Sequence, residues 1–378
     1  MPGAVPPVAY GRFQALVVRV RAGEPAFLRM GFMSNTLRCG VALSWVLLCT
    51  GAYAQPQNLT VISFGGATKQ AQEQAYFQPF NQSGAARVVA GEYNGELSKI
   101  KAMVDVGKTS WDVVEVESPE LLRGCDEGLF EPLDLARFGD PAQYVPGTLT
   151  ECGVATYVWS MVMAFAPQKL AKAPQSWADF WNLKDFPGKR GLRKSAKYTL
   201  EIALLADGVA PAQLYQVLNT PEGVTRAFAK LDQIKPYIQW WEAGAQPPQW
   251  LVAGDVVMSA AYNGRIAMAQ KEGMQLSILW PQSLYDPEYW AVVKGSPNKA
   301  LAEAFILFAS QPQAQKVFSE NIPYGPVHRQ ALPLLPEAVQ RQLPTFEANL
   351  KGARAVDAGF WVDHGEELEQ RFNAWAAR

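Results

Sequence analysis

Short apolar runs rich in β-branched residues alternate along this chain with segments whose apolar positions recur every three or four residues. Residues 59–64 read as a strand broken by Gly65-Gly66, and 69–80 as a helix. Residues 87–90 read as a strand, 97–106 as a helix ended by Gly107, and 111–116 as another strand. Ser118-Pro119 offers an N-cap and a proline at the first helical position, opening a helix over 120–127. Strand–helix alternation predicts βαβ units around a parallel sheet. Ligands of such sheets sit beyond the carboxyl ends of the strands, here residues 63–67 and 115–118.

A second α/β region is expected from about Val162. It carries helices over 177–186, 198–206 and 220–234 and a short strand ending at Gly191-Leu192. The stretch from Trp240 to Arg265 crowds Trp240, Trp241, Trp250 and Tyr262 around Glu242 and Arg265. Pro247 and Pro248 predict a stiff loop at its centre, 256–258 a buried strand, 260–264 a turn, and 265–271 a helix. Aromatic faces, a carboxylate and a helix N-terminus are the parts of a small-molecule cradle. A tryptophan-rich core corner accounts for the same residues. Residues 289–293 read as a strand returning to the first region, and 301–310, 313–320 and 365–377 as helices.

The N-terminal region has a different character. From Met33 a basic Arg38, a short apolar run over 39–51 and Ala52-Tyr53-Ala54 have the order of a secretory signal peptide, with cleavage expected after Ala54. Residues 1–32 then lie upstream of a complete signal, and Met33 is the expected true start. The mature chain from Gln55 is long enough for two domains. It has no second long apolar run, which argues against stable membrane insertion, and the net charge of −1 gives no support for a nucleic-acid partner. Of the four cysteines, Cys39 and Cys49 leave with the signal. Cys125 and Cys152 remain, and in an exported protein they read as a disulfide, two buried thiols being the alternative.

Catalytic patterns are missing. The two histidines, His328 and His364, are isolated, and there is no H-E-x-x-H, G-x-S-x-G, P-loop or G-x-G-x-x-G. Ser98 to Lys101 matches S-x-x-K without its companions. No metal or cofactor is therefore expected, and a secreted hydrolase is a weak alternative. Three patches suit binding instead. Phe64, Gly65 and Gly66 lie between a strand end and a helix start, where backbone N–H groups receive a carboxylate. Glu115 and Glu117 face one side of a strand end, poised for an ammonium or for helix-dipole support. The run from Arg193 to Tyr198 is basic, suited to an anionic group or to a solvated face.

The ordered set NLTVISFGG, WDVVEVESPELL, EGLFEPLD, QSWADFW, FPGKRGL, LVAGDVVMSAAYNGRIAMAQKEG and YWAVVKGSPNKALAEAFILFASQPQAQKVFSENIPYGP resembles the periplasmic solute-binding proteins of ABC importers, specifically the spermidine/putrescine-binding group. The resemblance covers the mature chain. It implies a type II periplasmic-binding fold: two α/β lobes, each a mixed sheet flanked by helices, closing on a solute about hinge strands. The implied lobes are 55–158 with 287–325, and 159–286 with 326–378. The hinge crossings fall near 157–162 and 286–290. It also implies an importer permease as partner, a periplasmic location and a monomer.

The departures narrow the solute. Polyamine receptors carry two acids in the loop matching RKSAKYT, where this chain has Ser195 and Tyr198 among Arg193, Lys194 and Lys197. Tyr289 stands in the place of another acid of those receptors, and Tyr262 in that of their stacking tryptophan. Losing acids while gaining bases points to a zwitterion such as 4-aminobutyrate, with a polyamine or a small anion as alternatives. Glu117, helped by Glu242, is the expected ammonium site. Arg193 or Arg265, with the N–H groups at Gly65-Gly66 and Gly264, takes the carboxylate. Trp241, Tyr198, Tyr262 and Tyr289 line the alkyl chain.

Overall fold

The computed structural model describes residues 57–378. The predicted signal peptide, its cleavage site and the N-terminal extension lie outside them. Ten strands carry the fold: β1 (Asn58–Phe64), β2 (Arg87–Tyr93), β3 (Val113–Glu117), β4 (Gly153–Phe165), β5 (Arg190–Arg193), β6 (Ile238–Trp241), β7 (Met258–Tyr262), β8 (Ser277–Val292), β9 (Gly325–Pro326) and β10 (Arg354–Ala355). They form one continuous sheet in the order β2-β1-β3-β8-β4-β7-β5-β6, with β9 on β4 and β10 on β8. The parallel pairing expected from strand–helix alternation holds at both ends, among β1, β2 and β3 and among β5, β6 and β7. It fails at the centre, where β8 runs antiparallel to β3 and β4, and β4 antiparallel to β7.

The two long strands join the halves. β4 begins at Gly153, ahead of the second region expected near Val162, and all 13 of its residues are buried. Such a run has no alternation to mark which side each residue faces. β8 is a 16-residue strand, longer than the expected 289–293, and it passes through Pro281 and Pro287. Proline is poorly tolerated inside a sheet except at bulges. The β4–β8 ladder is irregular between Met161 and Met163, opposite Pro281 and Gln282, and again between Ala155 and Tyr157. Both irregularities flank the stretch where β4 and β8 cross from one half of the sheet to the other.

The proline pair also has a different consequence from the one expected. Gln246–Ala253 is a helix with Pro247 and Pro248 in its first turn. No intrahelical donor is lost there, so the prolines start the helix rather than stiffen a loop. β7 runs through Ala260, Ala261 and Tyr262, and the following helix, Asn263–Lys271, begins without a separate turn. The Asn263 side chain fixes that junction, accepting from Ser160 N at 2.9 Å and donating to Pro323 O at 2.9 Å. Trp240 meets Phe372 and Trp375 of the C-terminal helix Ala358–Ala376 edge-on, so it belongs to the core.

Cys125 and Cys152 form a disulfide with 5.8 Å between their Cα atoms. It ties the end of the helix Ser118–Asp126 to the segment leading into β4. Closing a loop of 27 residues contributes about 3–4 kcal/mol in the chain-entropy model. Thermal unfolding of a Cys125→Ser/Cys152→Ser variant is expected to occur several degrees below that of the parent. Coincident melting curves would show the bond to be stability-neutral.

Candidate functional site

A cavity of about 360 Å³ opens where the two halves of the sheet meet. The β1–β3 half contributes Phe64, Gly65, Gly66, Glu92, Tyr93 and Glu117, and the β5–β7 half contributes Arg193, Glu242, Gly244, Tyr262 and Arg265. The crossing strands supply the floor through Tyr157, Trp159 and Glu288, and Tyr324 closes one side. Tyr157 and Tyr324 stack with centroids 4.8 Å apart, and Trp159 meets Tyr262 edge-on at 5.0 Å. The walls are thus rigid aromatic planes set between a few charged groups.

Register places the acids. Glu288 on β8 pairs with Glu117 on β3 and with Tyr157 on β4, so three strands present these side chains in one row. Like charges directly opposite one another are unfavourable unless neutralised. The two glutamates are handled differently. Burial alone would raise the Glu117 carboxyl, but the Lys197 and Arg193 charges outweigh it and hold it down at about 2. Lys197 Nζ lies 2.7 Å and Arg193 Nη1 3.5 Å from Glu117, and the Tyr198 hydroxyl also donates to it. Among the described residues Glu288 has no such cation. Burial, then repulsion from Glu115, Glu117 and Asp286, push it well above the usual carboxylate range. Its Oε1 is buried with no hydrogen-bond partner among the described residues.

Beneath the row, Glu115 accepts from Phe64 N (3.0 Å), the Gln72 amide (2.6 Å) and the Tyr157 hydroxyl (2.8 Å). Burial exceeds these hydrogen bonds and raises it to about 7. Asp286 accepts from Ser118 N at 3.1 Å and from the Ser118 hydroxyl, which fixes the start of the helix carrying Glu120. Burial raises Asp286 well above its ordinary value.

Arg265 is the counterpart to Glu288. Its Nε and Nη1 are buried without a hydrogen-bond partner among the described residues. It reaches from the β5–β7 half to Gly66 in the other, where φ is +68° and an added Cβ would stand 2.7 Å from Nη1. Only glycine offers both that backbone conformation and that clearance. The Trp159 indole N–H, also lining the cleft, is buried without a partner as well.

Of the residues singled out from the sequence, Phe64, Gly65, Gly66, Glu117, Arg193, Glu242, Tyr262 and Arg265 come together around this cleft. Four do not line it. Trp241 is fully buried and meets Tyr262 edge-on from behind, at 5.7 Å. Tyr198 is buried at φ 72°, its hydroxyl spent on Glu117. Ser195 donates to Glu369 of the C-terminal helix. Tyr289 points to the other face of β8 and donates to Gly147 O at 2.9 Å. Glu242, at the rim, pairs with Lys194 at 3.0 Å. Sequence reasoning missed Glu288, Tyr157, Trp159 and Tyr324. The signal for Glu288 is present in YDPEYW, where Asp286 and Glu288 share one face of a strand otherwise headed into the core.

A cleft between two halves joined by two long strands, walled by aromatic planes and holding a buried guanidinium and a buried carboxyl with atoms left unpartnered among the described residues, has the build of a receptor for a small solute. Residues 75–345 match the model of the bacterial extracellular solute-binding protein family. The chain belongs to that family. The solute-binding protein is 79% identical over 338 residues to the gamma-aminobutyric acid-binding protein of Pseudomonas aeruginosa, covering 89% of this chain and 96% of that protein. A solved GABA receptor is 31% identical, with a TM-score of 0.76 over 85% of this chain and 98% of that one. The periplasmic binding protein MotA of A. tumefaciens B6, solved with glucopine, is 26% identical, with a TM-score of 0.81 over 85% of this chain and all of that one. The fold is therefore the two-lobe type II periplasmic-binding fold, here with one sheet running through both lobes by way of β4 and β8. These relatives are binding proteins rather than enzymes. Among the described residues no helix is long and apolar enough to cross a membrane.

Proposed function

We propose that this solute-binding protein captures GABA in the cleft between its lobes and delivers it to the permease of an ABC importer. The observation that carries the reading is that the Arg265 guanidinium and the Glu288 carboxyl face one small cavity, each with buried polar atoms that have no hydrogen-bond partner among the described residues. The solute's carboxylate lies against Arg265, whose planar fork suits it, with the Trp159 indole as a further donor. The ammonium lies against the Glu288 carboxyl. Tyr157, Tyr262 and Tyr324 bracket the methylene chain. This assignment moves the ammonium from Glu117, which Lys197 and Arg193 already neutralise, to its neighbour across the strand. The 79% identity to a GABA-binding protein supports the same solute.

Closure is a population shift driven by contacts that only the closed lobes make. The hinge is assigned to the irregular β4–β8 stretch, with lobes close to 55–158 plus 287–325 and 159–286 plus 326–378. The receptor works in the periplasm as a monomer, after removal of the signal ending at Ala54. Isothermal titration of the purified protein with GABA, putrescine and succinate tests the solute. GABA is expected to bind at least about a hundredfold more tightly than either, since each competitor leaves one cleft charge unpaired or opposed. Preference for putrescine or succinate would overturn the assignment.

A further inference from the structure

Lys197 stands outside the cleft but is tied to its chemistry. Its Nζ lies 2.7 Å from Glu117 Oε2 and 2.5 Å from Glu120 Oε1, and its side chain is 9% exposed. An ammonium desolvated between two carboxylates is the arrangement a protein uses to bind a foreign ammonium. Here the protein's own chain fills it. Glu120 keeps a further buried oxygen, Oε2, with no partner among the described residues. The seat also connects with the solute site. A second cavity of about 570 Å³ is lined by Glu117, Glu120 and Lys197, and it shares Asn94, Glu117, Arg193 and Glu242 with the first.

We infer that Lys197 is a specificity-determining residue, an internal ammonium that occupies the two-carboxylate seat a solute's second ammonium would otherwise take. The inference rests on the reading of the neighbouring cleft as a GABA site. With Lys197 in place, a diamine anchored at Glu288 meets a carboxylate pair already neutralised and a nearby Arg193, so its second charge has no partner. Without Lys197, Glu117 and Glu120 are short of one cation, and a linear diamine reaching from Glu288 supplies it. Lys197 also bridges the two lobes, so losing it weakens closure around any solute. That bridging effect is common to all solutes and leaves their ratio unchanged, whereas the charge effect moves the ratio.

The test titrates the mature protein and its variants with GABA and with putrescine. Lys197→Met is expected to shift the ratio of the two dissociation constants toward putrescine by at least about tenfold. Lys197→Gln, which keeps a hydrogen-bonding side chain without the charge, shifts it in the same direction and serves if the methionine variant does not fold. Lys197→Arg keeps the parental ratio, and adding Glu120→Gln to Lys197→Met reverses the gain. Equal weakening of both solutes in the folded variants, or continued rejection of putrescine, would overturn the inference. If the parent fails to bind GABA, the assigned solute is wrong, while the putrescine titrations still decide the role of Lys197.

Discussion

Replacing Arg265 with methionine is expected to raise the dissociation constant for GABA by about a thousandfold while leaving the empty protein at least as heat-stable as the parent. The first half follows from burial. Truncating one partner of a desolvated, hydrogen-bonded charge pair costs about 2–5 kcal/mol, and ~4 kcal/mol is close to three decades of affinity. The second half follows from the missing partners. Because Arg265 Nε and Nη1 have none among the described residues, the fold gains no hydrogen bond from them and bears their desolvation, which outweighs the attraction of the guanidinium for a Glu115 that burial already pushes toward its neutral form. Lysine at this position keeps the charge but loses the fork, so it should recover only part of the affinity. Calorimetry for binding and scanning fluorimetry for stability separate the two effects. Binding within a few-fold of the parent would rule out Arg265 as the carboxylate site. A large fall in the melting temperature of the empty protein would show that the guanidinium is structural.

The parts of this site that could be read from the sequence share a cause. Phe64, Gly65 and Gly66 follow from the order strand, glycine turn, helix, because that order places a backbone turn at the carboxyl edge of a sheet. Tyr262 and Arg265 follow likewise from an expected turn into a helix, although β7 runs straight into that helix, and Arg193 from the basic run that follows a short strand. The misses come from pairing over long separations. Tyr157 and Trp159 sit in a strand buried along its whole length, where nothing local marks which residues reach the cleft. Glu288 was passed over for Tyr289, and on a strand a one-residue offset exchanges the cleft face for the opposite one. Ser195 looked free for a solute because Glu369, which accepts from it, lies 174 residues further on. Glu117 looked free for an ammonium because the basic run from Arg193 to Lys197 looked like an anion site. In the folded chain that run is its counter-charge.

Glu288 makes the affinity for GABA rise with pH. In the empty cleft, burial and the charges of Glu115, Glu117, Asp286 and Glu120 push its carboxyl well above the usual carboxylate range, which favours its protonated form. Of the cations nearby, Lys197 and Arg193 are engaged by Glu117, and Arg265 is assigned to the solute's carboxylate. An arriving ammonium favours the ionised carboxylate and expels the proton. GABA's own groups keep their charges from about pH 6 to about pH 8, so the release belongs to the protein. The dissociation constant should then fall as pH rises, and the binding enthalpy should vary with the ionisation enthalpy of the buffer. Stability of the empty protein runs the other way. Glu115, raised to about 7, Glu288 and Asp286 bind protons more tightly folded than unfolded, so their contribution is full below the unfolded value and is lost as pH rises through the folded one. Glu288→Gln should lower affinity by about a hundredfold, a cost in the range for an ammonium that loses its only ionised partner, and should abolish the proton release. A small uptake should remain in that variant, because a carboxylate docked on Arg265 offsets the charge that holds Glu115 down. Calorimetry of parent and variant in two buffers reads all of this directly. A parent whose affinity does not rise with pH, and whose binding enthalpy is the same in both buffers, would mean that the ammonium is held elsewhere than at Glu288.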